Sequence, residues 1–147
     1  MTTAVSFDIF REIDDEHRDL DRQYEAMRDF LRDVPGRPEV IRQRFAQLAA
    51  LLECHFAREE EDGYFDEIIE LAPRLASQVA MLQAEHDDLL CRLQRFDERI
   101  AATIDLAADY EMFCRDFGEF LDACVEHEAR ETTLVQEAYL VDIGVGD

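Results

Sequence analysis

Two short units of one pattern stand out in the chain. They are His55-Phe56-Ala57-Arg58-Glu59 and His127-Glu128-Ala129-Arg130-Glu131, each a histidine and a glutamate four residues apart. On a helix, residues i and i+4 share a face about one turn apart. Such a unit can offer a metal ion an imidazole nitrogen together with a carboxylate whose second oxygen is left for another ion. The chain has 4 histidines, and the other two, His17 and His86, stand alone in other long helical segments. Together His17, His55, Glu59, His86, His127 and Glu131 form a donor set large enough for a pair of ions. Imidazole with carboxylate suits iron, zinc, copper or manganese, and ligand type alone does not separate them.

Four amphipathic segments carry these residues. The first, predicted over about 8–33 with Ser6 as N-cap, shows Phe10, Ile13, His17, Leu20, Tyr24, Met27 and Leu31 in alternating steps of three and four. Val34-Pro35-Gly36-Arg37-Pro38 breaks it. The second, about 39–71, reads Ile41, Phe45, Leu48, Leu52, His55, Glu59, and Gly63 marks a kink. The third, about 74–104, carries Leu75, Val79, Leu82, His86, Leu89, Leu93, Phe96 and Ile100. The fourth, about 106–140 with Asp105 as cap, carries Tyr110, Phe113, Phe117, Phe120, Cys124, His127, Glu131, Leu134 and Ala138. The tail from Gly144 to Asp147 is expected to fray. Helices of similar length joined by short turns predict an all-α, up-down-up-down antiparallel four-helix bundle, one domain over 1–147.

Counted outward from the turns, the six donors fall at one height, with mismatches on the order of 1–2 Å at a rise of ~1.5 Å per residue. Facing helices lie ~8–10 Å apart, close enough for inward imidazoles and carboxylates to converge. A lone histidine on an apolar face is usually a satisfied core residue. Four of four on a stripe of two to three positions in seven has a chance of roughly 1–3%. Burying Glu59 and Glu131 unpaired would cost several kcal/mol each, so both need a strong cation nearby. The two-centre count favours a carboxylate-bridged pair over a closed four-ligand zinc site. The E-x-x-H arrangement of other di-iron bundles is absent, because Asp14, Leu52, Gln83 and Cys124 stand three residues before the histidines.

Composition narrows the functional class. A net charge of −21 opposes binding to nucleic acid phosphates or an anionic membrane surface. No stretch approaches 18 uncharged apolar residues, and the first residues show no basic region followed by an apolar run, which predicts a cytoplasmic protein. Cys54, Cys91, Cys114 and Cys124 fit no C-x-x-C pattern and are expected to be reduced and mostly buried. Asp14, Asp21 and Glu85 are candidates to orient an imidazole through its outer N–H.

The order H, H-x-x-x-E, H, H-x-x-x-E across four helices resembles the hemerythrin-like (HHE cation-binding) family over nearly the whole chain. The resemblance implies a non-haem site with two iron ions, bridged by carboxylates and an oxo or hydroxo group. It implies His17 and His55 on one iron, His86 and His127 on the other, and Glu59 and Glu131 bridging. The oxygen carriers of that family have a fifth histidine in an H-x-x-x-H pair on the third helix, where this chain has Leu82 and Leu90 around His86. They also end in H-x-x-x-x-D, whereas the unit here is His127 to Glu131. Both departures resemble the bacterial HHE group, whose members include iron–sulfur repair, nitric-oxide-responsive and peroxide-removing proteins. The missing ligand leaves an open position, or one filled by Glu60, Glu128 or a tyrosine.

Four neutral imidazoles and two carboxylates leave a di-ferrous core with net positive charge, which favours reversible binding or mild redox chemistry over attack on C–H bonds. The reading is therefore a module that binds O2, NO or peroxide in sensing or handling stress, with an unidentified redox partner. The alternatives are a di-iron enzyme that removes H2O2 or donates iron for cluster repair, and an iron-storage or structural metal bundle.

Overall fold

The computed structural model describes the backbone of residues 2–33, 37–102 and 106–144, and the side chains of 8–32, 37–102 and 109–140. Four long helices and one short one make up the fold: α1 (Thr2–Asp33), α2 (Pro38–Glu61), α3 (Tyr64–Leu71), α4 (Ala76–Ala102) and α5 (Leu106–Gly144), with a 3-10 turn at Pro73–Leu75 before α4. The long helices pack in a closed ring, α1 on α2, α2 on α4, α4 on α5 and α5 back on α1. Consecutive long helices being neighbours, this is the antiparallel four-helix bundle that the periodicity predicts. No strand occurs among the described residues.

Several local features differ from the sequence expectations. The first helix begins at Thr2, so Ser6 lies inside it rather than at its cap. No Gly or Pro falls between Thr2 and Asp33 to stop the helix there. Residues 34–36 of the expected breaker over 34–38, the Asp105 cap and the last residues of the tail, 145–147, lie outside the described residues, and Pro38 opens α2. The segment expected as one helix over 39–71 is two. Asp62 closes α2, and Gly63 sits at φ +101°, a left-handed conformation that costs a residue with a Cβ roughly 1–2 kcal/mol. The break redirects the chain, so that Tyr64, Phe65 and Ile68 of α3 point into the bundle and are buried.

The core has two apolar clusters. One joins Leu20–Leu31 of α1, Ile41–Phe56 of α2, Leu89–Ile100 of α4 and Phe113–Cys124 of α5. The other joins Ile9, Phe10 and Ile13 of α1 with Tyr64, Phe65 and Ile68 of α3, Leu75, Val79 and Leu82 before and in α4, and Leu134 and Ala138 of α5. Each fully buried Leu, Ile or Phe contributes about 1.5–3 kcal/mol. On α1, α4 and α5 the inward histidines and glutamates fall between these clusters, and on α2 His55 and Glu59 lie between the first cluster and α3. Ile13 and Leu20 flank His17, Leu82 and Leu89 flank His86, and Cys124 and Leu134 flank His127 and Glu131. One polar layer is thus sealed above and below by hydrocarbon.

The cysteines are corrected by burial: only Cys124 is buried, while Cys54 and Cys91 are exposed and Cys114 is intermediate. A cysteine one position off an inward stripe faces water, however apolar its side chain.

Candidate metal centre

All six predicted donors are buried, with Glu59 and Glu131 at 0% exposure and His17, the most accessible, at 6%. Their ligating atoms form two sets, each within 4.8 Å: His17, His55, Glu59 and Glu131, and Glu59, His86, His127 and Glu131. The carboxylates are common to both. Glu59 turns Oε2 to Nε2 of His17 at 3.3 Å and of His55 at 3.2 Å, and Oε1 to Nε2 of His86 at 3.0 Å. Glu131 turns Oε1 to Nε2 of His17 at 3.0 Å, and Oε2 to Nε2 of His127 at 3.2 Å and His86 at 3.6 Å. Each carboxylate therefore presents one oxygen to each histidine pair. The pairs match in geometry: His17 and His55 rings stand 4.9 Å apart at 64°, His86 and His127 5.0 Å apart at 62°.

The outer ring nitrogens determine what the inner ones can do. Nδ1–H of His55 donates to Glu16 Oε1 at 2.8 Å, that of His86 to Glu60 Oε2 at 2.6 Å, and that of His127 to Glu85 Oε1 at 2.8 Å. A carboxylate only accepts, so Nδ1 must carry the proton and a neutral ring leaves its Nε2 lone pair pointing inward. Arg58 pairs with Glu16 and, at 2.6 Å, with Glu12, while Arg130 pairs with Glu85. Phe56 stacks on His86 with ring centroids 3.9 Å apart at 7°, and Phe65 lies at 5.6 Å and 26° from it. Among the described residues, His17 has no carboxylate on its Nδ1.

The arrangement asks for a cation. Nε2 of His55, His86 and His127, Oε1 of Glu59 and both oxygens of Glu131 are buried with no hydrogen-bond partner. Lone pairs facing carboxylate oxygens at about 3 Å repel unless a positive charge lies between them. Burial alone would lower the His17 and His86 pKa values, yet the facing carboxylates of Glu131 and Glu59 bring both up to about 10. Burial alone would raise Glu59, but the imidazoles of His17, His55 and His86 facing it hold it well below the ordinary carboxylate range. Without metal the centre gathers protons; a metal ion meets the same demand with more charge. The donor set fits divalent cations.

Some second-rank expectations are redistributed. Of the three acids nominated to orient an imidazole, Glu85 does so. Asp14 instead pairs with Arg18 at 2.7 Å, and Asp21 lies beside Glu128. Glu60, a candidate to fill the open position, is occupied with His86. Glu128 accepts from the Tyr24 hydroxyl at 3.3 Å; burial and then Asp21 push its carboxyl up to about 9. Glu16 and Glu60 had no role assigned beside an imidazole. The signal was present: Glu16, Glu60 and Glu85 each adjoin an inward donor in sequence. A helix turns about 100° per residue, which aims such a neighbour at the adjacent helix.

The chain matches the model of the hemerythrin HHE cation binding domain over residues 8–139. No curated protein and no solved structure matches it. No described helix is long and apolar enough to cross a membrane. With that match across most of its length, and with buried His and Glu sets placed for cations between two apolar clusters, the chain belongs to the hemerythrin HHE cation-binding family.

Proposed function

We propose that this is a non-haem di-iron protein that binds a small diatomic, O2 or NO, or a peroxide, in the sensing or handling of oxidative or nitrosative stress. His17 and His55 would hold one iron and His86 and His127 the other, with Glu59 and Glu131 available to both. The observation that carries this reading is the sharing of both carboxylates between two four-residue donor sets. Two irons held there would supply redox chemistry toward a small ligand.

The residues of the chain create the setting for that chemistry. Glu16, Glu60 and Glu85 fix three imidazoles in the tautomer that ligates. The two apolar clusters keep bulk water from the layer and strengthen each charge interaction inside it. Two divalent ions against two inner carboxylates leave a positive centre. That charge suits an electron-rich small ligand and reversible chemistry rather than a strongly oxidising site.

The test is metal content per chain in anaerobically purified protein, followed by absorption spectra as air, NO and H2O2 are added in turn. The expected result is two irons, a ligand-to-iron charge-transfer band and a reversible change without turnover. Glu59→Ala and Glu131→Ala should abolish both metal and band. Sustained oxygen evolution from H2O2 would assign an enzyme instead. A folded chain that cannot be loaded with metal would end the reading.

A further inference from the structure

A cavity of about 310 Å³ opens beside the centre between α1, α3 and α5. Its mouth lies among the exposed Asp14 and Thr132, its walls include Phe10 and Val135, and it reaches His17 and Tyr64, both nearly closed to solvent. The larger cavity of about 490 Å³ on the α2–α4 face includes none of the six donors in its lining. One of about 260 Å³ against α4 and α5 reaches Glu85 and Arg130, the outer partners of His127, but no donor.

Three further observations single out Tyr64. It opens α3 directly after the left-handed Gly63, so the helix break is what brings its ring into the bundle. Phe10 holds the ring edge-on at 5.5 Å and Phe65 packs beside it at 5.5 Å. The carboxylates of Glu131, Glu59 and Asp14 lie close enough to act on its hydroxyl. Tyrosine at 2% exposure normally finds a hydrogen-bond partner for its hydroxyl. Among the described residues this one has none, and the side chain lines the cavity.

We propose that this cavity is the entrance by which the small ligand reaches the centre, and that the hydroxyl of Tyr64, which lines it together with His17, donates a hydrogen bond to the bound ligand. The inference rests on the di-metal reading above and names the positioning residue of that site. A phenol is protonated at neutral pH, so it can donate to an acceptor such as O2, peroxide or azide. The ring is held from two sides by aromatic contacts, so little side-chain freedom is lost when the bond forms.

The experiment measures azide binding to iron-loaded wild type, Tyr64→Phe and Val135→Phe by the azide-dependent absorption band, with metal content determined on each sample. Crystals of the metal-free protein under xenon pressure report on the cavity independently. Tyr64→Phe should keep its metal and weaken azide about 5–10-fold, the worth of one hydrogen bond. Val135→Phe should keep its metal, exclude xenon from the cavity and slow azide association about tenfold. A wild-type chain that takes up no metal overturns the function proposed above, and this inference with it. Metal-loaded Tyr64→Phe with unchanged azide affinity overturns the hydrogen bond alone. Unchanged association in a xenon-free Val135→Phe overturns the entrance. A phenolate-to-iron band in the wild type that Tyr64→Phe removes would make Tyr64 a ligand, which also overturns the donor role.

Discussion

Replacing Glu59 by glutamine should lower stability without metal and shrink the gain that metal brings. Glu59 is fully buried, and its oxygens lie 3.0–3.3 Å from Nε2 of His86, His55 and His17. In the metal-free protein at pH 8 the folded chain holds His17 and His86 protonated against this carboxylate, whereas the unfolded chain leaves them neutral. Glutamine keeps the shape, and its NH2 can donate to a neutral imidazole nitrogen. Removing one partner of a buried charged cluster destabilises, by about 3–5 kcal/mol where the other charge is left uncompensated, and donation from glutamine offsets part of that. In the loaded protein the same change removes an anionic oxygen from both donor sets. Loss of an outer partner alone costs about 10–100-fold in metal affinity, and a shared inner carboxylate should cost at least the upper figure. A hundredfold loss is about 2.7 kcal/mol. At ~2–4 °C of Tm per kcal/mol for a chain of this size, the gain in Tm that metal brings should shrink by roughly 5–10 °C. The metal-free variant should melt below metal-free wild type. Scanning calorimetry on chelated and iron-loaded samples, with metal content on each, measures all four values. Two ions per chain and an undiminished metal-induced gain in Glu59→Gln would refute the shared-carboxylate argument.

Three further outcomes follow from the same geometry. Glu60→Gln should leave the number of bound metal ions unchanged but weaken binding about 10–100-fold in a chelator competition, because His86 loses the acceptor that fixes its tautomer. In the metal-free protein, His17 and His86 bind protons more tightly folded, at about 10, than unfolded, at 6.5. Their contribution is fully present below about pH 6.5 and is lost as pH rises through about 10. Glu59 acts oppositely, contributing above about 4.5 and losing that contribution as pH falls. Melting of chelated protein across pH should therefore show a maximum near pH 5–6.5; a Tm that climbs from pH 7 to 10 would contradict this. Gly63→Ala meets no atom within 4 Å, so its cost is backbone strain at φ +101°, about 1–2 kcal/mol, read as a Tm loss of roughly 2–8 °C. An unchanged Tm would show that the α2–α3 break adapts without strain.

Sequence by itself determined the bundle and the membership of its polar layer. Steps of three and four put Ile13, His17 and Leu20 on one face of α1, and Leu82, His86 and Leu89 on one face of α4, and all six are buried. Periodicity is a local property of a helix, so the inward face, and with it the four histidines and two glutamates, is legible without neighbours. Tertiary structure alone decided which oxygen of Glu59 and Glu131 meets which histidine, because that depends on how four helices are rotated against one another. It also decided that Glu16 serves His55 and that Glu60 serves His86, contacts that cross from one helix to the next. Tyr64 illustrates the limit most directly. In sequence it is one aromatic residue after a glycine. Only the left-handed turn at Gly63, and the packing of α3 against α1 and α5, bring its ring into the bundle and into the lining of the cavity that His17 also lines.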